Sequence, residues 1–267
     1  MIRVITTFSR KQWDDYVHKL LPRSIELWPE EIEWQVWLDN QYDPVFLHRC
    51  VYSNGRTIPD IRYLSDDPEH EAFMSAWKER VAKDPKLQAS LTKFRYPFGY
   101  TQDAGTFAHK VFAFTSKEAR DGADWLIFLG SDVETLKPVT REWLDAVLFG
   151  GDVLHLGRHD IRSSETDFLA FRYPAILRDF KPIRSTAFLA ALRHIYTSGD
   201  IFNYAEWIDG HIIGRLCAVF TGMGIDVVNL SDGIPGLDVF EKTVLGERLC
   251  HHKGPRGKTM LIEKLKT

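Results

Sequence analysis

Ala123-Asp124-Trp125-Leu126-Ile127-Phe128-Leu129-Gly130-Ser131-Asp132-Val133-Glu134 is the stretch whose reading decides the fold of this chain. From Trp125 to Leu129 it is wholly apolar. Such a short run marks a strand buried on both faces, as in a parallel sheet covered by helices. Gly130 ends the run, so the next polar side chains emerge at the strand's carboxyl end. Ligands of open α/β sheets bind along that edge. Asp132 and Glu134 form a carboxylate pair there, with Ser131 beside them, and carboxylates can hold a hard cation against a diphosphate. The alternative is a solvated strand-end turn, since Asp and Ser favour turns through local hydrogen bonds.

Outward from this strand the pattern alternates. Arg3 to Phe8 reads as a strand ending in Thr6, Thr7 and Ser9. Lys11 to Leu21 has helical spacing of Trp13, Tyr16, Val17, Leu20 and Leu21, interrupted at Pro22 and continued near Ile25 to Trp28. Ile32 to Leu38 is a second strand, ending at Asp39. Strand, helix, strand is a βαβ opening with a right-handed crossover. Residues 41 to 66 read as irregular, with Pro44, Asn54-Gly55 and Pro59 as turn signals. Helices are expected over 68–83, 106–119, 140–148, 183–196 and 206–220. Strands are expected over 153–156, 226–230 and, antiparallel, 168–172. The end of the chain reads as a mixed, basic tail. The fold class is therefore α/β, a mostly parallel central sheet flanked by helices, with an added C-terminal α+β half. No linker divides the chain, so 1–267 reads as one domain: 1–135 a nucleotide-binding half, 136–267 an acceptor half carrying the tail.

Composition sets limits. The 267 residues carry 44% hydrophobic and 27% charged residues, ordinary for a globular protein, and a net charge of −3, which disfavours non-specific coating of nucleic acid. Three cysteines, Cys50, Cys217 and Cys250, fit no metal or redox spacing and read as buried thiols of a reducing compartment. The apolar run after Met1 is too short for a signal peptide, and no stretch reaches the length of a membrane span, so a cytoplasmic location is expected.

A second chemical feature lies near the end, His251-His252-Lys253-Gly254-Pro255-Arg256-Gly257-Lys258. His251 is a candidate third metal ligand, since Mn²⁺ accepts an imidazole beside carboxylates and Mg²⁺ prefers oxygen. Gly254 and Gly257 allow backbone to approach a phosphate, and Lys253, Arg256 and Lys258 can pair with its charge. The plain alternative is a flexible basic tail. Glu206 and Asp209, three apart at an expected helix start, share a face and are candidate general bases; acids that suit the helix dipole are the alternative. Glu165 follows His155, Arg158, His159 and Arg162 in a loop able to face an acceptor or sugar, or to satisfy itself as a turn.

The Asp124-to-Val133 segment resembles the Asp-x-Asp strand of GT-A-fold glycosyltransferases, and His251-x-x-Gly254 followed by a lysine is similar to the closing motif of the glycogenin-like retaining enzymes. Phe107-Ala-His-Lys-Val-Phe-Ala, Ser163-Ser-Glu-Thr-Asp-Phe, Tyr196-Thr-Ser-Gly-Asp-Ile-Phe, Glu206-Trp-Ile-Asp and His251-His-Lys-Gly-Pro together resemble a group of glycosyltransferases common in bacteriophages and cyanobacteria. The resemblance implies a Rossmann-like GT-A fold. It makes Asp132 and His251 metal ligands for Mn²⁺ or Mg²⁺, with Thr6, Thr7 and Asp39 lining a nucleoside pocket and Lys110 near the donor phosphates or sugar. Gly130 stands where the motif has its first acid, a loss that Glu134 is expected to offset.

The expected activity is transfer of a sugar, a hexose by the resemblance, from a nucleoside-diphosphate donor, UDP favoured, to a hydroxyl. A hydroxymethylated pyrimidine in phage DNA is one acceptor, and a glycan or small molecule the other. A nucleotidyltransferase would carry a glycine-rich loop after the first strand, where this chain has Thr6-Thr7-Phe8-Ser9-Arg10-Lys11. A degenerate fold kept as a sugar- or DNA-binding module is the non-catalytic alternative, held open by Gly130.

Overall fold

The computed structural model describes residues 1–38, 60–93, 101–158, 163–173, 184–236 and 239–266. The chain opens with β1 (Ile2–Phe8), after which Ser9 caps a helical run with a reciprocal bond to Gln12. That run comprises α1 (Arg10–Gln12), a π-helical stretch (Trp13–Val17) and α2 (His18–Leu27). It continues through Pro22, where an interruption was expected. A proline inside a helix costs about 3 kcal/mol. Burying Trp13, Tyr16, Val17, Leu20 and Leu21 against the sheet, at roughly 1.5–3 kcal/mol for a large apolar side chain, outweighs it.

β2 (Glu33–Leu38) follows, then β3 (Asp60–Tyr63), a strand inside the segment read as irregular. α3 (Pro68–Lys83) starts where expected, because Asp67 accepts from the Glu69 and His70 amides and Pro68 supplies a first-turn residue with no amide to satisfy. Next come α4 (Pro85–Lys93), α5 (Ala104–Thr115), capped by Asp103, and α6 (Lys117–Arg120), which divide the single helix expected over 106–119. β4 (Trp125–Leu129) is the apolar strand that decided the reading, and β5 (Val133–Thr135) follows it closely. Then come α7 (Arg141–Leu148), β6 (Val153–Gly157), β7 (Ser164–Arg172), α8 (Arg184–Thr197), α9 (Asp209–Gly222), β8 (Val227–Asn229), β9 (Leu249–His251) and α10 (Gly254–Lys266).

Among the described residues, seven strands form one sheet in the order β3-β2-β1-β4-β7-β6-β8. β1, β2, β3 and β4 are mutually parallel, and β7 alone runs against its neighbours β4 and β6. The expectation of a mostly parallel sheet flanked by helices is met. Because side chains alternate across a strand, β1 sends Ile2 and Val4 into one core and Ile5 into the other. The first core packs α2 and α7 against the sheet, and the second packs α3, α5, α8 and α9. A separate ribbon of β5 and β9 stands beyond the end of β4.

The tail is ordered by packing. Leu261 of α10 is fully buried in the first core, with Ile262 and Leu265 against it. Gly254 opens this helix at φ +67°, a left-handed conformation that favours glycine over residues with a Cβ, and so turns the chain from β9 into α10. No helix among the described residues is long and apolar enough to cross a membrane.

Candidate metal and donor site at the carboxyl edge of the sheet

β4 ends at Leu129, and the turn after it sets Asp132, buried, at the carboxyl edge of the parallel strands. The β5–β9 ribbon then supplies the second half of the site. Val133 pairs with His251 across the ribbon, and the His252 amide donates to the Asp132 carbonyl at 3.0 Å. This register sets the His251 Nε2 3.7 Å from Asp132 Oδ1 and 3.2 Å from Asp167 Oδ2. The ligand atoms of Asp132, Asp167 and His251 lie within 4.8 Å of one another, and all three residues are buried. Two ligands on opposite sides of one hard cation stand about 4 to 5 Å apart. Two carboxylates and an imidazole are a donor set suited to Mn²⁺, and to Mg²⁺ less well because of its preference for oxygen. The residues therefore fit a divalent cation.

Cations ring the acids. Lys258 Nζ lies 2.9 Å from Asp132 Oδ2, and burial, which alone would lower the lysine's pKa, is outweighed by Asp132 so that the value rises. Lys110, from α5, lies 3.1 Å from Asp167 Oδ1, 3.3 Å from Thr166 Oγ1 and 3.8 Å from Asp209 Oδ2. Burial pushes the Asp167 carboxyl up, but Lys110 and His251 outweigh it and hold the group well below the usual range. Asp209 goes the other way, because its burial exceeds the pull of Lys110 and raises its pKa. The Tyr16 phenol, buried beneath the site, is raised first by burial and then by Asp132. Glu165 accepts from Arg158 Nη2 at 2.6 Å and from Lys253 Nζ at 2.7 Å, so the tail is tied to β7 as well as to β5 and the turn after β4.

The sequence-based candidates separate into groups. Asp132 and His251 are brought together, with Lys258 against them, while Lys253 reaches the same edge through Glu165. Glu134 points elsewhere: its carboxylate is fully buried and lies 2.9 Å from His252 Nε2, 2.9 Å from Lys264 Nζ and 3.4 Å from Arg23 Nη1. Burial alone would raise its pKa, but the bonds from Lys264 and His252 lower it. It lies outside the three-residue cluster because β5 is a new strand after a turn, so Asp132 and Glu134 do not continue one strand face. Thr6 is buried and Thr7 half-buried at the end of β1, and Ser131 is half-buried in the turn after β4. Thr6, Gly130 and Ser131 line one small, partly open pocket. Asp39 lies outside the described residues.

Glu206 precedes α9, which begins at Asp209 rather than at 206, so the two acids do not share a helix face. The Glu206 carboxylate lies 3.9 Å from His211 Nδ1 and is 41% exposed. Asp209 is buried beside Lys110. Asp167 and Tyr16 were not among the candidates. With β7 expected to begin at 168, the alternation that puts Glu165 and Asp167 on one face was not available; the strand in fact begins at Ser164. Of the cysteines, Cys217 is buried and Cys250 half-buried, both as free thiols, and Cys50 lies outside the described residues.

No protein-family model and no curated protein sequence matches the chain. Solved structures do match its fold. A galactosyltransferase, LgtC, crystallised with donor and acceptor sugar analogs, superposes over 99% of this chain and 96% of its own, with a TM-score of 0.53 at 12% identity. The bifunctional glycosyltransferase WbbM superposes over 98% of this chain at 11% identity, with a TM-score of 0.52. This chain spans only 49% of WbbM. The fold is thus the GT-A fold of these glycosyltransferases.

Proposed function

We propose that the chain is a divalent-cation-dependent glycosyltransferase that moves a sugar from a nucleoside-diphosphate donor to a hydroxyl acceptor. The observation that carries this reading is the approach of His251 to Asp132, 3.7 Å apart at the carboxyl edge of a GT-A sheet and ringed by lysines. In the transfer, the bond between the anomeric carbon and the β-phosphate oxygen breaks. The nucleoside diphosphate leaves with the electron pair, and the acceptor oxygen bonds to the anomeric carbon. A bound cation supplies neutralisation of the charge that builds on the departing diphosphate. Asp132 and His251 would hold that cation, Mn²⁺ before Mg²⁺ because of the imidazole. Lys258 and Lys253 pair with phosphate oxygens as the charge develops. Thr6, Thr7 and Ser131 face the nucleoside, for which uridine is the first choice, with a hexose as the sugar.

The proton of the acceptor hydroxyl needs a base on an inverting route. Asp209 is the choice among the acids, since its raised pKa suits proton uptake. Glu165, bridged by Arg158 and Lys253, orients substrate hydroxyls, and Glu206, 41% exposed, is the outermost of the three acids. For the acceptor we carry forward the hydroxymethyl group of a modified DNA pyrimidine, on the basic run of Arg158, His159 and Arg162 in the sequence; a glycan or small-molecule hydroxyl is the other class. The reading places the protein in the cytoplasm, where its donor and its free thiols belong.

The test is thermal unfolding with a panel of nucleotide-sugars, with and without Mn²⁺, followed by donor turnover on the stabilising sugar. Stabilisation by one donor only in the presence of metal is expected. Stabilisation by nucleoside triphosphates instead favours nucleotidyl transfer, and no response to any nucleotide leaves a binding module. Turnover assayed with hydroxymethylated single-stranded DNA and with oligosaccharides then separates the acceptor classes.

A further inference from the structure

We infer that Asp167 supplies, from β7, the carboxylate that β4 lacks at Gly130, so that the acid has been moved to the neighbouring strand. This inference depends on the cation site proposed above. β4 and β7 pair up to Leu129 and Phe168, and one step further the Gly130 amide donates to the Asp167 carbonyl at 2.9 Å. The two residues therefore face each other across an antiparallel ladder at the lip of the site. A Cβ on Gly130 would stand 2.3 Å from Asp167 Oδ1 and 2.8 Å from its Cβ and Cγ. No side chain fits at 130 while the Asp167 carboxylate keeps its place. The volume left by the missing side chain on β4 is filled by a carboxylate arriving from β7.

The two Asp167 oxygens have different surroundings. Oδ1 faces Lys110 at 3.1 Å, and Oδ2 faces His251 Nε2 at 3.2 Å. Lys110 matches the first oxygen. The second turns towards an imidazole that also faces Asp132, so Asp167 Oδ2, Asp132 Oδ1 and His251 Nε2 converge on one place, as the ligands of a single cation would. A buried carboxylate is costly unless each oxygen is matched by charge or hydrogen bond. With a cation between Asp132, His251 and Asp167 Oδ2, and Lys110 on Oδ1, both oxygens are matched at once.

The experiment measures Mn²⁺ affinity through loss of the free-ion electron paramagnetic resonance signal, alone and with UDP, with folding checked by thermal unfolding. The proteins are the wild type, Asp132→Asn, Asp167→Asn, Gly130→Asp and the double variant Gly130→Asp/Asp167→Gly. Asp167→Asn is expected to weaken Mn²⁺ binding by at least about tenfold, the lower range for loss of even an indirect partner of a metal. Gly130→Asp alone is expected to weaken it too, by displacing Asp167, and to lower the melting temperature. The double variant, which exchanges the two side chains between strands, is expected to recover both. Wild-type affinity in Asp167→Asn, with affinity lost in Asp132→Asn, overturns the inference and leaves the cation site standing. A folded double variant that binds no more Mn²⁺ than Gly130→Asp overturns the equivalence of the two positions. A wild type that binds no Mn²⁺ in either condition removes the cation site itself, and the inference with it.

Discussion

Lys258 Nζ lies 2.9 Å from Asp132 Oδ2, so the tail helix carries its own positive charge into the place where a divalent cation would be bound. The ammonium and the cation compete for the same carboxylate, yet both favour a diphosphate. Lys258→Met is therefore expected to act in opposite directions on two ligands. Mn²⁺ alone should bind several-fold more tightly, while a nucleoside diphosphate with Mn²⁺ should bind about tenfold more weakly, a loss of about 1.4 kcal/mol. Calorimetric titration of the variant with each ligand checks both signs, and weakening of both ligands alike would remove the competition.

Asp132→Ala should abolish turnover, with a change in unfolding free energy of no more than about 1 kcal/mol, because its ion-pair partner Lys258 is 36% exposed and can return to water. Donor turnover and urea unfolding of the same preparation decide this. Retained activity would take the catalytic cation away from Asp132.

Glu134→Gln separates a structural carboxylate from a metal ligand. Glu134 is fully buried, but Lys264 and Arg23 are about half exposed, so part of their lost pairing is made good by solvent. We expect a loss of about 1–3 kcal/mol of stability, with faster proteolysis of the tail helix and Mn²⁺ affinity almost unchanged. A large drop in Mn²⁺ affinity in a folded Glu134→Gln protein would return the residue to the metal site.

The pH dependence of stability has a definite sign. Burial depresses the His155 pKa to about 4, and burial followed by the charge of His109 does the same at His70. Between pH 6.5 and 4 the unfolded chain binds protons that the folded chain refuses. The contribution of each histidine is thus fully present above the unfolded value and is lost as pH falls through the folded one, on the order of 3 kcal/mol per site across the window. Glu134 and Asp167, with lowered carboxyl values, extend the loss in the same direction at lower pH, while Asp209, whose value is raised, opposes it. Urea midpoints taken from pH 7 to 4 should fall throughout, and His155→Gln should flatten part of the slope. A constant midpoint across that range would contradict the buried, neutral imidazoles.

Local patterns made much of this fold legible. Five consecutive apolar residues at 125–129 point to a strand covered on both faces, and β4 takes that place, with Leu126 to Leu129 buried. Asp67 followed by Pro68 announces a helix start through capping chemistry that needs no tertiary partner. β3 and α10 were less legible. β3 is four residues long with only partial burial, and α10 is held by Leu261 in a core assembled elsewhere in the chain. The tail's lysines read either as phosphate-binding groups or as a solvated end, and no local spacing names the acids that meet them: Asp132 for Lys258, Glu134 for Lys264 and Glu165 for Lys253.

By itself the sequence determined the α/β class, the carboxyl edge on which chemistry would collect, and two of the residues placed there, Asp132 and His251. Only the tertiary structure decided which carboxylate joins them. That choice turns on strand register: β7 beginning at Ser164 turns Asp167 towards the site, and the turn before β5 points Glu134 away from it. A slip of one residue sends a side chain to the opposite face of a strand. Register between segments far apart in the chain is set by the pairing of whole strands and the packing behind them, and no local spacing records it.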